Sequence, residues 1–232
     1  MGKLLFLLLS VLSLASVAWA DSLYSVEPVQ LKSSAPLSAS LKNYLNPQGL
    51  LLVASPEGTR ILVCEVWWSK SVAAFAKPHG PDDASYSKIE PGALVGVVHF
   101  FSEFDDATDH KLRAGYYTMR YVLLPRDKQH ETVIAYPDFV ALVPAALDVE
   151  NRETLSLNTL LQLSRHASRA KHPAVMSLAP FNPGYQDPPM IVPEENGEAI
   201  LQLQIKTRVG KIPDEMKIAI VLVPTPKHDI GS

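Results

Sequence analysis

From about residue 50 the chain alternates short apolar runs with turn residues. The runs are 50–54, 61–68 (ILVCEVWW), 93–101 (ALVGVVHFF), 116–124 (YYTMRYVLL), 132–136 and 139–143. Pro56-Glu57-Gly58, the stretch 78–83, Pro91-Gly92, Gly115, Arg126-Asp127 and Pro137-Asp138 separate them. Short β-branched and aromatic runs with this punctuation predict antiparallel strands rather than βαβ units. Many runs are apolar at every position, so both faces of the sheet should be covered. The run 116–124 divides into Tyr117, Met119, Tyr121 and Leu123 on one face and Tyr116, Thr118, Arg120, Val122 and Leu124 on the other. The first set carries no charge and predicts the core face.

Helical spacing occurs in two places. Residues 37–45 predict a short helix, ended by Asn46-Pro47 and Gly49. Residues 153–168 predict an amphipathic helix with Leu157, Leu160, Leu161 and Ser164 on one face. Arg165, His166, Arg169, Lys171 and His172 gather at its C-terminal end, where cations complement the helix dipole. Pro180, Pro183, Pro188, Pro189 and Pro193 make 178–197 an extended crossing segment without helix or central strand. Residues 199–207 then alternate, with Leu201, Leu203 and Ile205 on one face, and 217–223 form a last apolar run. These two predict a hairpin across 210–215, either completing the main sheet or standing as a small unit. The fold expected is mainly β: an antiparallel β-sandwich with one amphipathic helix and a C-terminal β-hairpin. Its parts are a leader (1–20), a polar lead-in (21–48) with a short helix and one edge strand, the core with its helix (49–177), the crossing segment (178–197) and the hairpin (198–232).

Composition narrows the class. The 232 residues are 47% hydrophobic and 19% charged, enough apolar content to bury a core and to exclude wholesale disorder. The single cysteine, Cys64, excludes an internal disulfide and a cysteine-based zinc ribbon, and its mid-strand position predicts a buried, inert thiol. A net charge of −3 argues against nonspecific binding to nucleic acid or anionic lipid. At the N-terminus, Lys3 precedes an apolar stretch that ends in Ala18-Trp19-Ala20. This is the charge, hydrophobic core and small-x-small pattern of a secretory signal peptide cleaved before Asp21. No later run reaches the length of a membrane span, so a secreted or periplasmic protein without a span after cleavage is expected.

Catalytic signatures are incomplete. His130-Glu131-Thr132-Val133-Ile134 begins like a zincin motif, but Ile134 stands where the second histidine is required. Ser85-Tyr86-Ser87-Lys88 matches Ser-x-x-Lys without the accompanying Ser-Asp-Asn and Lys-Thr-Gly elements. The seven histidines are dispersed, and His99, in an apolar run, reads as a satisfied core or interface residue. No cofactor and no transition metal are expected. Glu103, Asp105, Asp106 and Asp109 put four carboxylates into one loop and form a Ca²⁺ candidate, against the alternative of a solvated hairpin loop. Binding candidates are Trp67 and Trp68, which must point to opposite faces of a strand, Tyr116 and Arg120 on one face of the next, and His130 in the loop that follows. For Arg120 the sequence requires exposure or a carboxylate partner.

Val95-Gly96, the run from Arg113 to Tyr121, Tyr136-Pro137-Asp138-Phe139, Val143-Pro144-Ala145, Ser164-Arg165 and His172-Pro173-Ala174-Val175 resemble secreted bacterial β-rich proteins with a Gly-x-Tyr-Thr strand motif. The resemblance implies a secreted β-rich fold and assigns no activity or site. The expected function is a non-catalytic extracytoplasmic binding protein for a glycan, a peptide or an envelope protein. The alternatives are a hydrolase or metal-dependent enzyme with a loop-assembled site, and a structural subunit that pairs through exposed strands. Intact-mass analysis of exported protein should give a chain beginning at Asp21; a mature chain retaining Met1 contradicts the leader.

Overall fold

The computed structural model describes residues 23–123, 136–149, 153–169, 171–185, 188–193 and 198–223. The leader, His130 and all but Tyr136 of the strand expected at 132–136 lie outside the described residues. The strands are β1 (Tyr24–Gln30), β2 (Gln48–Ala54), β3 (Ile61–Trp68), β4 (Val72–Ala73), β5 (Leu94–Phe100), β6 (Phe104–Asp105), β7 (Lys111–Leu112), β8 (Gly115–Leu123), β9 (Asp138–Pro144), β10 (Val175–Ala179), β11 (Met190–Pro193), β12 (Ala199–Val209) and β13 (Ile212–Val223). Two helices, α1 (Ala39–Tyr44) and α2 (Leu157–Ser164), complete the described chain. The architecture is mainly β and antiparallel, with the amphipathic helix and the C-terminal hairpin that the sequence pattern predicts.

One ladder runs β1-β2-β3-β5-β8-β9-β10-β13-β12-β11, with β4 added in parallel to β12. The end strands β1 and β11 come side by side without pairing, so the sheet curls nearly into a barrel. β10 joins its two halves: Val175–Ser177 pair with β9, then Leu178 and Ala179 pair with β13. The hairpin therefore completes the main sheet. Its connection is tighter than 210–215: Val209 pairs with Ile212, and Gly210 at φ 59° leads a two-residue turn.

The enclosed face is the main core. Leu52, Cys64, Val66, Val98, Met119, Tyr121, Leu142, Leu203, Ile205, Ile218 and Ile220 from both halves fill it. The outer face is covered in two places. The α1 segment lays Leu37, Leu41 and Leu45 over Trp67 and Val97. Helix α2 lays Leu160 over Val122, Ala141 and Val143. Gly49 is needed under the first cover: a Cβ there would stand 2.4 Å from Trp67 Cδ1.

Three expectations are corrected. The strand β10 reaches Ala179, inside the segment expected to be crossing coil, because its prolines begin only at Pro180; β11 is an edge strand, where Pro193 is tolerated. Helix α2 is shorter than 153–168, because the Ser156 side chain caps it by accepting from Thr159 N at 3.3 Å. Its buried side is Leu160 and Ser164, whereas Leu157 is exposed.

Arg120 is the third correction. It is buried rather than available at a surface, with Nε 2.6 Å and Nη2 2.9 Å from the two carboxylate oxygens of Asp148. Its Nη1 donates to the carbonyls of Gly92 (2.9 Å) and Glu153 (3.4 Å). Thr118 Oγ1 donates to the same carboxylate. Gly92 sits at φ 80°, and a Cβ there would lie 1.9 Å from the Leu155 carbonyl oxygen, so only glycine lets the turn reach both Arg120 and Leu155. The arginine thus ties three loop segments to the outer face of β8 and serves structure. Denaturant melts should show Met119→Ala destabilised by about 2–5 kcal/mol through core truncation. Arg120→Ala should lose about 3–5 kcal/mol, because Asp148 is left buried without its counter-charge.

Candidate functional site

A row of cross-strand neighbours crosses the outer face at the margin of the α1 cover, whose cluster Tyr116 joins. Glu65 of β3 lies opposite His99 of β5, which lies opposite Tyr116 of β8. Strand alternation turns these side chains outward because Cys64, Val98 and Tyr117 turn inward. His99 Nδ1 is 2.9 Å from Glu65 Oε2, and the two side chains keep 18% and 10% of their surface. The imidazole stacks on Tyr116 at 4.0 Å between centroids and 6° between planes, and meets Phe101 edge-on at 4.7 Å. Trp67 lies near-parallel to Tyr116, with 6.3 Å between centroids and 16° between planes. Phe101 is exposed just past the end of β5.

This geometry decides what the row can do. With Nδ1 held by the carboxylate, the second ring nitrogen of His99 is the one left to face outward, and no hydroxyl or thiol is bonded to His99 among the described residues. Burial, with the Glu65 charge adding to it, pushes the Tyr116 hydroxyl up from its ordinary range, so it stays a neutral donor. One face of Tyr116 is taken by His99.

The residues singled out in the sequence separate. Trp67 is buried on the outer face and Trp68 is half-buried against the enclosed core, so the pair does point to opposite faces and neither is a free platform. Tyr116 belongs to the row. Arg120 is consumed by its ion pair, and His130 lies outside the described residues. Glu65, His99 and Phe101 were missed as site residues. The i, i+2 spacing of His99 and Phe101 was visible in the sequence, but placing Glu65 beside them required the register of β3 on β5. Ser85 and Tyr86 of the Ser-x-x-Lys match donate backbone N–H groups to Asp138, at 2.7 and 3.2 Å, and Tyr121 donates its hydroxyl at 2.7 Å. Burial holds the Asp138 carboxyl above the usual carboxylate range despite these bonds. Burial likewise pushes the Cys64 thiol far up, as an inert thiol requires.

The Ca²⁺ candidate is corrected, because its carboxylates diverge. Glu103 pairs with Arg169 and Asp105 with Lys111. Asp106 is fully buried and accepts from Thr108 N and Oγ1, His110 N and Val175 N at 2.8–3.2 Å. It organises the loop as a hydrogen-bond acceptor, and Asp109 stands at φ 61° in the turn. Among the described residues no three His, Cys, Asp or Glu side chains gather for a metal. No protein-family model, curated protein or solved structure matches the chain. Millimolar Ca²⁺ should leave the melting temperature unchanged, whereas a concentration-dependent rise would mean that the loop reorganises around the ion.

Proposed function

We propose that this is an extracytoplasmic, non-catalytic binding protein whose ligand is another protein, engaged through the outer face around Glu65, His99, Phe101 and Tyr116. The observation that carries the reading is the aromatic row at the margin of the α1 cover, with exposed Phe101 edge-on to His99. Aromatic and apolar side chains around a few fixed polar groups are the composition of a protein-binding hot spot. His99 takes one face of Tyr116 and Trp67 is buried, so neither of these two rings is an open platform for a sugar. The hydrolase alternative has the His99–Glu65 pair in its favour and lacks a hydroxyl or thiol bonded to it among the described residues. Pairing through free strand edges is disfavoured because β1 and β11 stand against each other. The leader expected at 1–20 supports the location.

A photo-crosslinking amino acid at position 101, compared with one at the exposed hairpin position 212, tests the face in cells. A discrete adduct at 101 and none at 212 is the expected result. Equal labelling at both positions, or none at 101, removes this face from the reading.

A further inference from the structure

Four carboxylates among the described residues are buried: Glu65, Asp106, Asp138 and Asp148. Asp148 is met by the Arg120 guanidinium. Asp106 accepts four hydrogen bonds and Asp138 three. These satisfy the rule that a buried carboxylate carries either a counter-charge or a full set of donors. Glu65 differs. It is 8% exposed and receives one hydrogen bond, from His99, so its Oε1 has no hydrogen-bond partner among the described residues. Several exposed acids have cations: Glu27 has Arg60, Glu103 has Arg169, Asp105 has Lys111 and Glu153 has Arg208. The least satisfied buried carboxylate thus lies in the aromatic row.

We propose that this site takes the guanidinium of an arginine from the partner protein, with Glu65 as its counter-charge. The proposal rests on the protein-binding reading above and names the group recognised. Glu65 Oε1 is an acceptor without a hydrogen-bond partner among the described residues, and a carboxylate is the group that a forked guanidinium donor fits. Exposed Phe101 supplies a ring against which a planar cation stacks. The arginine completes the charge balance that the other buried carboxylates already have.

The test is a titration of the protein with N-acetyl-arginine amide, followed by NMR signals of His99, Phe101 and Tyr116, with N-acetyl-glutamate amide as the contrasting probe. Saturable shifts with the arginine probe alone are expected. Glu65→Gln keeps an acceptor for His99 Nδ1 and removes the charge, and should weaken the arginine probe by about tenfold, the size of one charge-assisted hydrogen bond. The proposal is overturned if the glutamate probe shifts the same signals equally, or if Glu65→Gln binds arginine as well as the parent. Should Glu65→Gln fail to fold, the comparison of the two probes on the parent protein still decides. An adduct at position 101 without arginine binding would retain the partner face and remove the arginine, so the two readings fail separately.

Discussion

The strands of this protein are apolar on both faces, and water must be excluded from each. The sheet meets the first requirement by curling until β1 stands against β11, which encloses the inward side chains of both halves around one core. It meets the second with two separate covers, the α1 segment over Trp67 and Val97 and helix α2 over Val122 and Val143. Everything else follows from this double burial. The loops that carry α2 must be fixed to the outer face, and the Arg120–Asp148 pair with the Gly92 turn does so. Where the covers end, the outer face is left with aromatic and ionisable side chains, and that stretch is the candidate site.

The buried polar groups show how such a sheet tolerates charge. Asp148, Asp106 and Asp138 each sit where a loop crosses the sheet, and each is saturated by a guanidinium, a hydroxyl or backbone N–H groups. They hold segments together, since leaving any of them without donors would cost several kcal/mol in order of magnitude. Glu65 lies on a central strand and fixes a side chain rather than a loop. Its effect is to orient His99 within the aromatic stack. The same chemical group therefore serves architecture at three places and side-chain positioning at the fourth. Local bond counts distinguish the two uses.

The strand runs, their punctuation, the core face of β8 and the covering of both faces were legible in the sequence, because period-2 patterning and turn chemistry are local properties. So was the rule that Arg120 requires exposure or a carboxylate. The inert character of Cys64 followed from its place in an apolar run, and burial accounts for it. Closure of the sheet was not legible. It depends on β10 changing partners from β9 to β13 after Ser177, and nothing in Val175–Ala179 announces which strands will flank it.

The candidate site shows the same division between local pattern and register. Tyr116 could be named because its strand and its face were readable. Glu65 and His99 lie 34 positions apart, and only the pairing of β3 with β5 sets them 2.9 Å from each other. The acidic loop at 103–109 looked like a cation site because sequence counts carboxylates without their directions; the fold sends each to a different partner. The carboxylate partner that Arg120 calls for could not be named, since Asp148 lies 28 positions away and meets it only through the β8–β9 ladder. Local pattern fixed which residues form strands and which way their side chains alternate. Long-range register, a property of the whole ladder, decided which charges meet and which one is left facing outward.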